Sequence, residues 1–78
     1  MTFKEVKNDL ASIVNYATFY YNGKLSGIDP ISKEHFNLWY GPDKTYTAKS
    51  IDEAMEYPLF DGKSFFEIFD NIVDLEVT

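Results

Sequence analysis

Tyr16-Ala17-Thr18-Phe19-Tyr20-Tyr21-Asn22-Gly23-Lys24-Leu25-Ser26-Gly27-Ile28 sets an Asn-Gly pair between two short runs, and its reading decides the fold. Both Asn22 and Gly23 accept the positive φ that a two-residue hairpin turn demands. Tyr16 to Tyr21, aromatic and carrying Thr18, is then a first strand, paired with a second over Lys24 to Ile28. The competing reading continues the preceding helix to Tyr20. The turn favours the strand.

Upstream, Thr2-Phe3-Lys4-Glu5 matches a capping box, in which a hydroxyl caps the helix start and a glutamate three residues later reaches back. Phe3, Val6, Leu10, Ile13, Val14 and Ala17 follow at three- and four-residue steps, so an amphipathic helix is predicted to about Asn15. Lys4, Lys7, Asn8 and Ser12 make its polar side. Downstream, Asp29-Pro30 is expected to break the second strand, with a loop through Ser32, Lys33 and Glu34. Strict alternation returns at His35-Phe36-Asn37-Leu38-Trp39-Tyr40, where Phe36, Leu38 and Tyr40 share one face and Asn37 and Trp39 the other. Gly41-Pro42-Asp43-Lys44 reads as a turn, and Thr45 to Ala48 as the last strand of a meander.

Two more capping boxes follow, Ser50 with Glu53 and Ser64 with Glu67, each opening a short helix. Pro58 forces Tyr57 out of helical geometry and ends the first near Glu56. Asp61-Gly62 turns the linker between them. Ile51, Ala54 and Met55 form the apolar side of the first helix. Phe65, Ile68, Phe69, Ile72 and Val73 form that of the second, with Phe66 at its flank. Leu75-Glu76-Val77 alternates and can add an edge strand.

The order predicts an α+β class: an N-terminal helix, an antiparallel β-meander of three to four strands, then two short C-terminal helices packed on one sheet face. Residues 1–78 make one small domain. A chain of this length buries only about 60% of its unfolded surface. It has no cysteine to staple it, so seven Phe, six Tyr and one Trp must supply the core. If Tyr20 and Trp39 share the sheet face away from the helices, they form an exposed aromatic surface.

The formal net charge is -6, and the acidity is concentrated late. Up to Ile51, six lysines face five acids; from Asp52 onward, eight acids face only Lys63. There is no arginine. Phosphate affinity needs clustered positive charge, so direct binding to nucleic acid or to an anionic membrane is not expected. No apolar run is long enough to span a bilayer and the first residues lack a signal-peptide pattern, which predicts a cytoplasmic protein.

Catalytic chemistry finds little support in the residue types. Gly62-Lys63-Ser64 resembles the end of a phosphate-binding loop, but Tyr57 stands where that motif needs glycine and Asp61 would repel the anion. His35 is the only histidine, which rules out His-pair metal sites, and the absence of cysteine rules out thiolate ones. No metal site, cofactor site or catalytic residue is expected. The acids spaced one helical turn apart read as solvated faces.

The expected function is therefore a small acidic, non-catalytic interaction or accessory protein that binds a basic surface of a protein partner. Asp52, Glu56, Glu67, Asp70 and Asp74 on the C-terminal helices are the candidate contact residues. A special case is an inhibitor that mimics phosphate spacing, in the manner of small phage-encoded proteins. The alternatives are a homodimer or larger homo-oligomer joined through the aromatic sheet face, and a small-ligand or glycan site at Trp39 with Tyr20 or Tyr40.

Overall fold

The computed structural model describes residues 1–78. Helix α1 spans Phe3–Ala11. Its capping box is complete: Thr2 Oγ1 accepts from the Glu5 amide, and Glu5 Oε1 accepts from the Thr2 amide at 2.8 Å. Val6 and Leu10 face the core. The helix stops short of Asn15. The Ser12 hydroxyl donates to the Asp9 carbonyl at 2.6 Å, and Ile13 turns left-handed at φ 68°, which swings the chain out of the helical path. Val14, expected on the apolar side, is consequently 79% exposed.

The hairpin forms as its turn dictates. Strand β1 covers Ala17–Tyr21 and β2 covers Lys24–Ser32, joined by Asn22 and Gly23 at φ 52° and 76°. Strand β3 is His35–Tyr40 and β4 is Lys44–Ala48, again antiparallel. Asp29-Pro30 does not end β2. Because β1 stops at Ala17 opposite Ile28, Pro30 lies beyond that pairing and opposes only Phe36 of β3, so its missing N–H leaves no gap between two neighbours.

Helix α2, Ile51–Glu56, starts at Ser50 and ends where Tyr57 adopts ψ 128° ahead of Pro58. Its cap differs in one detail from the expected box. Ser50 Oγ accepts from the Glu53 amide, but Glu53 reaches one residue further back, to the Lys49 amide at 2.7 Å. Asp61 and Gly62 make a second left-handed two-residue turn, closed by reciprocal Phe60 and Lys63 backbone bonds. That turn pushes Phe60 fully into the core.

The last segment departs most from expectation. Helix α3 is only Phe65–Ile68, followed by a 3-10 turn at Phe69–Asn71 and then by strand β5, Val73–Val77. Val73 and Asp74 are thus strand residues, and Asp74 sits left-handed at φ 56° in a bulge between the Thr18 and Tyr20 pairings. Pairing with the free edge of β1 gives the chain backbone partners that further helical turns cannot supply.

The sheet has five antiparallel strands in the order β4-β3-β2-β1-β5, one more strand than the meander alone. All three helices cover the same face. Inward residues of the strands, among them Phe19, Ile28, Phe36, Leu38 and Tyr40, meet Val6, Leu10, Met55, Phe60, Phe65 and Ile68 from the other layer. Phe65 is the aromatic hub, with its ring centroid 5.2 Å from Phe19, 5.6 Å from Phe69 and 6.0 Å from Phe3. No helix is long and apolar enough to cross a membrane.

Candidate docking surface

The sheet's second face is uncovered, and its make-up follows from the register. Ala17 opposes Ile28 and Ile28 opposes Leu38, all inward, so the intervening positions point outward. Across the middle of the open face run Glu76, Thr18, Gly27, Trp39 and Thr45, each paired with the next. On one side of that row lie Val73, Tyr20 and Leu25, and on the other Asp29, Asn37 and Thr47. Tyr20 and Trp39 do share the face. Tyr40 does not: it is buried on the inner side with its ring 5.9 Å from that of Phe60, which removes it from any site at Trp39.

Trp39 is held by its neighbours. Its six-membered ring lies over Gly27, where a side chain would collide with ring atoms Cζ2 and Cη2. Glycine lets the indole lie against the backbone of β2, which leaves Trp39 half-buried and fixed in orientation. Tyr20 is 44% exposed and Leu25 48%. Tyr16 and Val73 extend the apolar area towards the sheet margins.

Leu25 divides two shallow hollows. One, of about 440 Å³, is walled by Trp39, Pro42 and the glycines of the adjoining turns, Gly23 and Gly41. The other, of about 480 Å³, is walled by Thr18, Tyr20, Asp74 and Glu76. The charge of the face is one-signed. Its charged strand positions are Asp29 and Glu76, with Asp74 beside them, while Lys24 and Lys44 occupy the opposite parity, paired with Tyr21 and with Tyr40. The Lys24 stem passes the first hollow, but its ammonium lies 4.9 Å from the Tyr40 ring centroid, on the inner side.

The five acids expected to form one helical face are divided. Asp74 has moved to the open side of the sheet. Asp52 on α2 pairs with Lys7 of α1 at 2.8 Å, which offsets its charge. Glu56 borders a hollow with Phe3, Lys7 and Phe66, the last 62% exposed. Glu67 is engaged at the α3 cap, where accepting the Ser64 amide at 3.0 Å holds its carboxyl below the ordinary glutamate range. Asp70 stands free on the 3-10 turn. The arrangement is a scatter of local roles with a lysine in its midst.

Other polar groups have structural partners. The Glu53 carboxyl accepts the Lys49 amide and the Tyr46 hydroxyl, which lower it below the usual carboxylate range in that order, and the same bond raises the Tyr46 phenol. The Tyr46 ring is stacked on Tyr57 at 3.5 Å. The His35 ring bonds Asn37 Oδ1 at 2.9 Å, and the Thr47 hydroxyl donates to the same oxygen. The Asn37 side-chain oxygen is therefore engaged by two neighbours on the open face. Nowhere do three or more His, Cys, Asp or Glu residues gather in a way that could hold a metal ion.

Sequence reasoning missed Leu25 and Glu76. Leu25 was readable from parity, standing two residues before Gly27 and four before Asp29 on the same side of β2. Glu76 needed the pairing of β5 with β1, which no local pattern gives. Comparison of the chain with protein-family models, curated proteins and solved structures finds no match.

Proposed function

We propose that this chain is an interaction protein whose open sheet face docks onto a lysine- or arginine-bearing surface of a protein partner. The observation that carries the reading is the coincidence, on one uncovered face, of Tyr20, Leu25 and Trp39 with Asp29, Asp74 and Glu76 and with no lysine at any open-face strand position. Aromatic side chains held rigid supply contact area at little entropic cost, and they attract cations over their faces. The acids steer a basic partner and disfavour a nucleic-acid phosphate backbone. The reading keeps the notion of an acidic accessory protein but moves its working surface from the helices to the sheet. It places the protein in the cytoplasm, in keeping with a chain without cysteine.

Self-association through the same face is less favoured. A two-fold interface sets a patch against its own copy, and here that brings Asp29, Asp74 and Glu76 towards like charges. The test compares tagged variants in capture from the native host. Leu25→Lys is expected to lose the partner that the wild type retains, and a variant carrying Asp52→Lys and Asp70→Lys is expected to retain it. The opposite pattern overturns the sheet-face reading in favour of the helices. A stable dimer in light scattering, lost in Leu25→Lys, overturns it in favour of self-association.

A further inference from the structure

The turn between β1 and β2 has a covalent reactivity separate from docking. Among the five asparagines only Asn22 is followed by glycine, so only there can a backbone nitrogen approach a side-chain amide with no neighbouring side chain in the way. Asn22 is exposed, and nothing lies within 4 Å of where a Gly23 side chain would start. Asn22 Nδ2 donates to Asp61 Oδ2 at 3.3 Å, which ties the hairpin to the loop that sets Phe60 in the core. We propose that Asn22 is a site of spontaneous deamidation in the folded protein, and that deamidation releases the hairpin turn from Asp61.

Asn22 and Gly23, at φ 52° and 76°, form a type I′ turn, which holds the Gly23 nitrogen away from the Asn22 side chain. Rotating the peptide between them gives a type II′ turn. Asn22 keeps its positive φ, its ψ moves to about −120°, and Gly23 φ becomes negative. The Gly23 nitrogen then stands on the same side as the Asn22 β-carbon. Neither the Asn22 carbonyl nor the Gly23 amide makes a backbone hydrogen bond that would resist the rotation, and glycine accepts both signs of φ. Asn22 is strained there, so the rotated turn is a minor state. From it the Gly23 nitrogen, losing its proton, bonds to Asn22 Cγ. The Cγ–Nδ2 bond breaks and Nδ2 leaves as ammonia with that proton. Water then adds to either carbonyl of the cyclic imide and breaks one C–N bond, giving aspartate or isoaspartate, with nothing oxidised or reduced. In the aspartate product a carboxylate stands where the donor was, 3.3 Å from Asp61. Isoaspartate routes the backbone through the side chain and lengthens a two-residue turn whose length fixes the pairing of Tyr21 with Lys24. Asp61-Gly62 shares the left-handed geometry, but its ionised carboxylate resists nucleophilic attack.

For the test, the full chain is incubated in mildly alkaline buffer at several urea concentrations below the unfolding transition. It is then digested for mass spectrometry, with enzymatic methylation to mark isoaspartate. Amide-to-acid conversion is expected at Asn22 and not at Asn8, Asn15, Asn37 or Asn71. Its rate should not change with urea, because rotating one exposed peptide uncovers almost no surface. No conversion in the folded chain, or a rate that climbs with urea in step with unfolding, overturns the site, since the turn then protects Asn22 and only the unfolded chain reacts. The release from Asp61 is tested in fresh protein. Asn22→Asp should lower the melting temperature, and adding Asp61→Asn, which returns a donor to the pair, should recover it. Asparagine tolerates the left-handed backbone at position 61. A melting temperature unchanged in Asn22→Asp, or not recovered in the double variant, overturns the release.

Discussion

Replacing Gly27 by alanine places a methyl carbon inside the van der Waals envelope of the Trp39 ring and 2.7 Å from the Ala17 carbonyl oxygen. The two obstacles respond differently. The indole can swing outward, at the loss of its seat on β2, whereas the carbonyl belongs to the β1 backbone and moves only if the strands part. Overpacking of this kind costs about 1–3 kcal/mol. Removing a strand glycine returns about 0.5–1 kcal/mol of conformational entropy. The net expectation is a destabilisation of about 1–2 kcal/mol, which lowers the melting temperature of a domain this size by roughly 5–15 °C. Urea unfolding followed by Trp39 emission measures it, and the folded-state emission should shift to the red as the ring leaves the backbone. A double-mutant cycle with Trp39→Ala, followed by far-UV circular dichroism because Trp39 is the only tryptophan, separates the obstacles. Coupling of about 1 kcal/mol is expected, with a residual cost that belongs to the carbonyl. A Gly27→Ala protein of unchanged stability and emission would refute the claim that glycine seats the indole.

Other predictions follow from the same contacts. Phe60→Ala empties the aromatic centre beside Phe19 and Tyr40 and should cost about 3–5 kcal/mol in denaturant unfolding. A cost below about 1 kcal/mol would mean that the Tyr57–Lys63 loop does not close the core. Gly23→Ala, at φ 76°, should lose about 1 kcal/mol in the same assay with little change in structure, and a neutral result would contradict the left-handed turn. Glu5, Glu53 and Glu67 are each held below the ordinary value of 4.5, chiefly by backbone amides of Thr2, Lys49 and Ser64. Their folded pKa lies below the unfolded one, so the stability they add is fully present above pH 4.5 and disappears as pH falls through the depressed folded values. Changing all three to glutamine should flatten the acid limb of stability against pH, and an unaltered limb would contradict the assignment.

Local signals were legible where a short stretch decides its own conformation. Asn22-Gly23 set the hairpin, the alternation of His35 to Tyr40 set β3 to the residue, and Thr2, Ser50 and Ser64 marked three helix starts. What was not legible depended on distant strands. Pro30 looked like a strand end because the sequence does not say that β1 stops opposite Ile28. Phe65 to Val73 carried a helical stripe, yet Val73, Leu75 and Val77 also carry a strand alternation. The free edge of β1 decided between them. The same pairing moved Asp74 from a helix face to the sheet and set Glu76 beside Thr18. At the candidate site, the shared face of Tyr20 and Trp39 followed from parity once the register was known. The grouping of acids on that face did not.

Site-specific photo-crosslinking tests the central claim most directly. A photoreactive residue placed at Leu25, on the open sheet face, and in a separate protein at Phe66, on the exposed helical side, would be activated in the native host and the products mapped by mass spectrometry. The account predicts a specific crosslink from Leu25 to a lysine- or arginine-bearing segment of another protein, weakened at high salt, with no such product from Phe66. A specific product from Phe66 alone, or from Leu25 only to a second copy of this chain, would contradict it.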